Sequence, residues 1–388
     1  MKGRPNRRET GFSLLEMIIA MALGTLVLGA AVQIYIQGVQ ATWTTTQRAE
    51  LQQDFRAASN VLTTDLSLAG AGLGQGAAIQ LPTSATLPVY GCAQTGASPE
   101  PCYLNGNGTS VAYPTQGTTP YLYGLLPGYD DGPTLVTAQG PTDVTTVVYT
   151  DSTFYLDCYT ATITSTTQVT FTLPGTTSAN CTANGNTIQN VNDSAVGLTA
   201  GDLVLFTFGS TNIVAEVTTA PGSTGVTAFT ANDALKMNQG STVSYSLANK
   251  YSTTPVTGYG TRILVITYYI DNTLTPPRLM RQVSGHTPVP VAENVVYLKF
   301  TYDLFNDSTN SPAVACSNPG AASDGCSGAS SGLLPNQVTK INIQNMAIGG
   351  TLRGPMMGTG GSGSGYQRMD LQTSVSARNL TYANNYPN

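Results

Sequence analysis

The longest apolar stretch of the chain lies near its N-terminus, over residues 12–36. Glu16 is the one charged side chain inside it, and four basic residues stand before it: Lys2, Arg4, Arg7 and Arg8. At a rise of about 1.5 Å per residue, a helix over this stretch covers a hydrocarbon core about 30 Å thick with some tilt. The pattern therefore predicts a transmembrane helix over residues 12–36.

The helical pattern continues beyond Ile36 but becomes amphipathic. Apolar residues recur at steps of three, four or their multiples, with polar residues between them: Val39, Trp43, Leu51, Phe55, Leu62, Leu66 and Ala69. No proline lies between this helix start and Pro82. One continuous helix over residues 12–69 is the prediction, ended by the glycine-rich run 70–76, which we interpret as a terminator and hinge.

The remaining residues, 70–388, show patterns of period two that are typical of β-strands. Strands are predicted over residues 143–150, 153–163, 168–173, 202–208, 212–217, 262–270, 296–304, 338–346 and 369–378. Residues 202–208 and 212–217 form a hairpin across Gly209-Ser210, and residues 262–270, apolar on both faces, form a central strand covered by the helix. Residues 79–130 suggest long loops with few strands, and the Gly/Ser-rich stretch 349–365 suggests a flexible one.

These elements predict an α+β fold. Its parts are a long N-terminal helix, membrane-spanning in its first half and amphipathic in its second, packed on a mainly antiparallel β-sheet head with long loops.

Glu16 needs an explanation, because a carboxylate inside a membrane span costs about 2.5–3.5 kcal/mol on insertion scales. One interpretation is that Glu16 lies near the interface and snorkels. The other is that cleavage after Gly11 gives Phe12 a free α-amino group, which neutralises Glu16 within the chain or from a neighbouring subunit. A secretory signal peptide cut near Leu28-Gly29-Ala30 is the alternative, but the charge inside the apolar core argues against it.

Charge and composition place the head outside the cytoplasm. Basic residues before the span, with none for a long way after it, put the N-terminus in the cytoplasm and export the rest. Removal of residues 1–11 leaves 377 residues with 12 basic against 20 acidic side chains, a net charge of −8. Charged residues make up 10% of the chain, well below the roughly 25% of average domains. This balance excludes a basic nucleic-acid-binding surface.

Six cysteines fall into three local couples, and none forms a C-x-x-C motif. Six cysteines allow 15 pairings, so neighbour pairing is a preference: Cys92–Cys102, Cys158–Cys181 and Cys316–Cys326. An oxidising periplasm favours such local disulfides.

No residue pattern supplies an enzyme site. H-E-x-x-H, G-x-S-x-G, Walker A and dinucleotide fingerprints are all absent from the sequence. The one histidine, His286, lies in a turn and is interpreted as structural. Asp130-Asp131 and Asp303/Asp307 carry oxygens that suit Ca²⁺ but lack an EF-hand pattern. We therefore predict no catalytic residue, cofactor or metal.

The N-terminal residues resemble a known family. Glycine followed by Phe12-Ser13-Leu14-Leu15-Glu16 and an apolar helix, after a basic leader, is similar to the class III signal of type IV prepilins and type II secretion pseudopilins. The resemblance implies that prepilin peptidase cuts between Gly11 and Phe12 and methylates the new amine. It divides the chain into a cytoplasmic leader (1–11), the helix (12–69) and a periplasmic head (70–388).

A series of head motifs extends the resemblance to PilW-type minor pilins, which are related to the J-type minor pseudopilin of type II secretion. The motifs are Gly140-Pro141-Thr142-Asp143, Gly201-Asp202-Leu203-Val204-Leu205, Tyr268-Tyr269-Ile270, Arg278-Leu279-Met280-Arg281, Val291-Ala292-Glu293-Asn294-Val295 and Ser376-Ala377-Arg378-Asn379-Leu380.

This resemblance implies a non-enzymatic minor pilin that primes pilus assembly and sits in the filament tip complex. Its expected partners are membrane lipid before assembly, prepilin peptidase, the inner-membrane assembly platform, and other minor and major pilins. It moves from a single-pass position in the bacterial inner membrane, head in the periplasm, to the pilus surface. The small-residue pairs Ala20/Gly24 and Thr25/Gly29 agree with a helix that bundles with others. A minor type II secretion pseudopilin and a pilus-borne adhesin remain alternatives.

Overall fold

The computed structural model describes residues 13–74, 78–83, 89–90, 94–95, 98–99, 111–116, 118–173, 190–251, 255–273, 275–306, 311–320, 333–348 and 368–380. The chain divides into two compact units. The first is Met1–Gln53 with Gly349–Gln367, and the second is Asp54–Ile348 with Arg368–Asn388.

The long helix α1 extends from Leu14 to Ser67 and contains 54 residues, which confirms the predicted long N-terminal helix. In the first unit its apolar side chains between Leu14 and Trp43 are exposed. In the second unit one face of the helix is buried, as the amphipathic pattern predicts. That face consists of Phe55, Ala58, Leu62 and Leu66, each at most 2% exposed.

The glycine run ends α1 as predicted. Gly70, Gly72 and Gly74 adopt φ angles of 78°, 75° and 80°, a left-handed conformation that glycine takes without steric cost. The N–H of Gly70 donates to the carbonyl oxygen of Val148 at 2.8 Å. A Cβ atom at Gly70 would lie 2.6 Å from Leu380 Cδ2, so both the turn and its packing require glycine.

Beyond α1 the described chain consists mainly of β-strands. They are β1 Ala78–Gln80, β2 Val89–Tyr90, β3 Gln94–Thr95, β4 Ser98–Pro99, β5 Val111–Ala112, β6 Thr115–Gln116, β7 Thr119–Tyr123, β8 Leu125–Gly128, β9 Val144–Thr150, β10 Thr160–Ser165, β11 Gln168–Thr172, β12 Leu203–Phe208, β13 Thr211–Glu216, β14 Val226–Ala228, β15 Val256–Asp271, β16 Arg278–Val283, β17 Val289–Glu293, β18 Val295–Asn306, β19 Ser311–Cys316, β20 Val338–Ile348 and β21 Arg368–Ser376. A short helix α2 covers Leu247–Lys250, and 3₁₀ turns cover Thr137–Gln139, Leu156–Cys158 and Pro335–Gln337.

Every recorded strand pair is antiparallel, which confirms the α+β fold class. The largest sheet has ten strands, with the central order β13-β12-β15-β10-β11-β14, and β9 and β16 also pair with β15. A second sheet has the order β19-β18-β20-β21, and a third β1-β7-β6.

The 16-residue strand β15 is the centre of the large sheet. Its first half pairs with β10 and β12, and its second half pairs with β9 and β16. The prediction of a central strand over residues 262–270 is confirmed, but β15 begins six residues earlier, at Val256.

Two hydrophobic clusters lie on opposite faces of the large sheet. Alternate residues of β12 separate them: Leu203 and Leu205 belong to one, Val204 and Phe206 to the other. The first cluster also contains Leu81, Tyr113 and Met237 from the connecting segments. The second is rich in phenylalanine and holds Phe154, Phe171, Phe206, Phe208 and Phe229.

Other predicted elements agree with the structure to different degrees. The hairpin across Gly209-Ser210 is confirmed as β12 and β13. The strand predicted over residues 153–163 begins only at Thr160, because a 3₁₀ turn occupies Leu156–Cys158. Strands β14, β16, β17 and β19 were not predicted. The region predicted as long loops with few strands holds the short strands β1 to β8. The Gly/Ser-rich stretch 349–365 lies outside the described residues.

Candidate functional site

Ser13 and Glu16 cap the N-terminus of α1. The Ser13 N–H donates to Glu16 Oε2 at 3.1 Å, and Ser13 Oγ accepts from the Leu15 N–H at 3.3 Å. Ser13 O accepts the Met17 N–H at 3.1 Å, which makes Ser13 the N-cap and Glu16 the third helical residue. Two backbone donors that the helix cannot satisfy itself are thus satisfied. Glu16 therefore has a structural role that the sequence analysis did not consider. Gly11 and Phe12 lie outside the described residues.

The apolar half of α1 is long enough to cross a membrane. Within the described residues, Leu14–Trp43 is the one helical stretch of sufficient length and composition, with a mean hydropathy of 2.2. It exceeds the predicted span by seven residues at its C-terminal end.

The four small residues predicted to pack helices together are exposed on this stretch: Ala20, Gly24, Thr25 and Gly29. A Cβ atom built at either glycine meets no described atom within 4 Å. Their proposed role in helix packing stays a prediction.

A buried carboxylate fixes the second half of α1 to the large sheet. Asp65, 6% exposed, accepts hydrogen bonds from Tyr268 Oη at 2.6 Å, Tyr149 Oη at 3.2 Å and Arg281 Nε at 2.7 Å. Burial, and then the neighbouring Asp65, raises the pKa of both tyrosines. Burial lowers the pKa of Arg281, but Asp65 and Tyr268 together raise it further, and the net shift is upward. Tyr149, Tyr268 and Arg281 therefore keep their protons, and donate these hydrogen bonds, at neutral pH.

Two of the aspartates considered for Ca²⁺ in the sequence, Asp130 and Asp303, contact cationic or backbone donors. Lys299 Nζ contacts Asp130 and donates to Asp143 Oδ1 at 2.7 Å, and it lies 4.6 Å from the Tyr129 ring centroid. Asp303 Oδ1 accepts from the Ala315 N–H at 3.1 Å. The described residues contain no group of three or more His, Cys, Asp or Glu side chains with metal-binding geometry. Asp307 lies outside them.

His286 joins a network of buried charges. Its Nε2 lies 2.8 Å from Asp202 Oδ1, and Asp202 Oδ2 lies 3.6 Å from Arg262 Nη1. Arg262 Nε also donates to Asp151 Oδ2 at 2.8 Å, and its guanidinium stacks 4.8 Å from the Phe154 ring centroid. These contacts join the turn of His286 to strand β15 and to the residues directly before β12 and directly after β9.

Cysteines within the described residues are oxidised. Cys158 and Cys316 are both disulfide-bonded. Cys92, Cys102, Cys181 and Cys326 lie outside the described residues. The pairings of Cys92 with Cys102, Cys158 with Cys181 and Cys316 with Cys326 stay predictions.

A second buried acidic cluster joins β13 to the segment that follows β14. Glu216 Oε2 accepts the Leu235 N–H at 2.8 Å, and Asp233 Oδ2 accepts the N–H groups of Met237 and, at 3.1 Å, Asn238. Asn238 Oδ1 accepts the Glu216 N–H at 3.0 Å. Burial, and then the charge of Asp233, raises the pKa of Glu216 to about 8. The pKa of Asp233 is also raised, chiefly by burial.

We expect this cluster to make the head less stable as the pH rises. Unfolded Glu216 titrates near 4.5 and folded Glu216 near 8, so the folded state alone retains the proton between these values. The stabilising contribution is complete below the lower pKa and is lost as the pH rises through the upper one, at up to about 1.4 kcal/mol per pH unit.

Urea unfolding of the full chain in detergent, from about pH 5 to about pH 8, measures how steeply the free energy of unfolding falls with pH. A Glu216→Gln variant keeps the acceptor for the Leu235 N–H but cannot ionise, so its slope should be flatter. Asp233, Lys236 and Tyr113 interact electrostatically with Glu216 and remain in both proteins. Equal slopes for the two proteins would show that Glu216 does not cause the pH dependence.

Neither Asp65 nor Glu216 was predicted to be a buried acid, although the position of Asp65 in the sequence indicates it. Asp65 lies three residues after Leu62 and four before Ala69, and therefore on the predicted apolar face of the helix. A charge at such a position indicates a buried partner. Glu216 is the last residue of an apolar strand, and nothing in the neighbouring sequence indicates that its side chain is buried.

The N-terminal residues match a known motif. Residues 6–32 match the family model for the prokaryotic N-terminal methylation motif, and this range includes Gly11, Phe12 and Glu16. The fold and this motif define the class: an α+β protein with an apolar N-terminal helix and a type IV prepilin-like N-terminus.

No curated protein matches the chain. Among solved structures the chain is similar to the type IV-like pilin TTHA1219 from Thermus thermophilus, with 13% identity over 47% of this chain and 87% of that chain. The TM-score is 0.16, too low to establish a common arrangement.

Proposed function

We propose that the chain is a minor type IV pilin of the PilW type, processed between Gly11 and Phe12 and methylated at Phe12. The observation that carries this proposal is the methylation motif over residues 6–32, placed at the start of the apolar helix Leu14–Trp43. A cleavable leader followed at once by a membrane span is a combination that an ordinary anchor does not need.

In this proposal the apolar helix and the head have different roles. The exposed apolar surface of α1 supplies lateral packing, first against lipid and then against neighbouring subunits. The head supplies contacts to other minor and major pilins, in a complex that primes assembly and stays at the filament tip. The protein acts as a structural subunit and does not catalyse a reaction.

The mature N-terminus tests the proposal most directly. We expect mass spectrometry of the native protein to find a chain that begins at Phe12 and carries one additional methyl group. A Gly11→Leu variant should retain residues 1–11, because a bulky residue then precedes the cleaved bond.

Gly24→Ala is the matched control, since a Cβ atom at Gly24 meets nothing within 4 Å in the described chain. This variant should be processed normally. A native chain that keeps Met1, or begins near Ala30, would contradict the proposal. Deletion of the gene should impair piliation; a secretion defect with normal pili would instead assign the chain to a type II secretion pseudopilus.

A further inference from the structure

An exposed tyrosine stands at the centre of a polar row on one face of the large sheet. Tyr259 of β15 is 62% exposed and pairs with Thr160 of β10 on one side and Thr207 of β12 on the other. Thr160 pairs in turn with Thr172, and Thr207 with Asn212. Directly paired residues of antiparallel strands share a face. The row therefore places Tyr259 between hydroxyl and amide groups.

A second row runs parallel to the first, two residues away along each strand. It consists of Thr170, Thr162 and Thr257, which pair across β11, β10 and β15. Adjacent strands lie about 4.8 Å apart and alternate residues of one strand about 6.7 Å apart. The two rows thus form a regular lattice of side chains, which we call the threonine–tyrosine face.

The hydroxyl groups of this face are largely available to a ligand. Within the described residues, the side chains of Thr160, Thr162, Thr170, Thr172 and Thr257 form no hydrogen bond. Thr207 Oγ1 bonds only its neighbour Asn212, at 3.0 Å. Neither row contains a charged side chain.

Two glycines keep the strand under Tyr259 close to an aromatic layer. Gly258 and Gly260 flank Tyr259 and face the opposite side, where a Cβ atom would lie 2.5 Å from Phe208 Cδ1 or 3.3 Å from Phe206 Cε1. Phe206 stacks on Phe171 and Phe208 with ring centroids 6.0 and 5.7 Å apart. The face is therefore supported from below by closely packed rings, which favours a rigid surface.

We propose that the threonine–tyrosine face binds a neutral polysaccharide. A sugar ring has an apolar C–H face, which packs on an exposed aromatic ring, and equatorial hydroxyls, which exchange hydrogen bonds with threonine and asparagine. The lack of charge disfavours anionic polymers and phosphate groups, which require Lys or Arg. A stable protein interface needs a larger apolar centre than one tyrosine. This binding is independent of the assembly role and does not rest on it.

Binding can be measured with the full chain in a detergent that has no sugar head group, because such a head group would compete. The probes are insoluble cellulose, chitin and starch, with alginate beads as the anionic comparison. We expect retention on at least one neutral polysaccharide. Tyr259→Ala should weaken it about tenfold. The double change Thr160→Val with Thr162→Val keeps the β-branched shape and should weaken it about threefold.

Tyr129→Ala is the matched control, since Tyr129 is 42% exposed but packs against Lys299, outside both rows; its binding should equal that of the unmodified chain. Circular dichroism confirms the folding of each variant. Three results would overturn the proposal: retention on none of the neutral polysaccharides, retention on alginate alone, or retention that neither Tyr259→Ala nor the threonine pair weakens. Each of these results leaves the processing of Phe12 untouched, so the two proposals fail separately.

Discussion

An Asp65→Ala variant should lose about 3 kcal/mol of head stability, because it removes one partner of a buried ion pair and leaves the other uncompensated. Arg281 would keep its charge at 24% side-chain exposure without its carboxylate. Tyr149 and Tyr268 would each lose their acceptor inside the protein. Water can reach Arg281 in part, so we place the loss at the lower end of the range for buried pairs.

The part of the head that loses stability in Asp65→Ala also tests the role of this carboxylate. Asp65 connects α1 with β9, β15 and β16, so its removal should loosen the helix before the sheet. Hydrogen exchange of the full chain in detergent should show faster exchange over residues 54–67, while the amides of β15 remain protected. Urea unfolding gives the total change in free energy.

Asp54→Ala is the matched control, since Asp54 lies on the same helix and is exposed. It should change the unfolding free energy by under about 0.5 kcal/mol. The double change Asp65→Leu with Arg281→Met should recover part of the loss, because it removes both charges. Equal stabilities of Asp65→Ala and Asp54→Ala would contradict the anchoring role.

The parts of the fold that could be predicted are those whose periodicity is undisturbed. The apolar spacing through Phe55, Leu62 and Leu66 fixes the helix and its buried face. The alternation in β18, with Leu298 and Phe300 inward and Lys299 outward, fixes a half-buried strand. In both cases the residue pattern and the burial have the same cause, which is the regular direction of successive side chains.

Strand β15 shows why the rest could not be predicted. Its first six residues, Val256–Thr261, contain Gly258 and Gly260, and glycine normally weakens a strand. An added Cβ would lie 2.3 Å from the Thr207 carbonyl oxygen at Gly258 and 3.1 Å from Val204 at Gly260, with phenylalanine rings close by at both. These neighbours come from β11 and β12, far away in sequence. A residue choice imposed by a distant partner leaves no local pattern.

The motif over residues 6–32 could be recognised from the sequence, whereas the roles of its individual residues stay predictions. The order of Gly11, Phe12 and Glu16 before an apolar run points to processing from the sequence alone. The hydrogen bond between Glu16 and Ser13 was missed, although the spacing S-x-x-E is the signature of a capping box. The position of Glu16 inside an apolar run drew attention to its charge and away from its place three residues after Ser13.

These two roles of Glu16 predict different consequences of mutation. As a cap, Glu16 supplies an acceptor for the Ser13 N–H. As a charge partner, it pairs with the amine of a processed Phe12, in its own chain or in a neighbour. A neutral glutamine can still accept the hydrogen bond, but it cannot form an ion pair. Glutamine therefore separates the two roles, whereas alanine removes both.

We expect Glu16→Ala and Glu16→Gln to insert into the membrane and to be processed, yet to enter filaments about tenfold less than the unmodified chain. This expectation takes the form of the pair that joins two subunits: an unpaired carboxylate costs about 2.5–3.5 kcal/mol in lipid, and bundling would bring it to the amine of a neighbour. Removing the charge lowers the free energy of the unassembled subunit in lipid. It also removes the favourable free energy that the charge pair would contribute to assembly. Quantitative immunoblots of sheared filaments against total membrane protein measure incorporation.

Ser13→Ala is the matched control, because it removes the acceptor for the Leu15 N–H but leaves the Glu16 charge in place. It should cost about 1 kcal/mol of helix stability at most and leave incorporation within about twofold of normal. The opposite ranking would change the interpretation: if Glu16→Gln assembles normally while Ser13→Ala and Glu16→Ala do not, the carboxylate acts through the cap. The contribution of Glu16 to assembly would then be to fix where the helix begins, three residues after the cleaved bond.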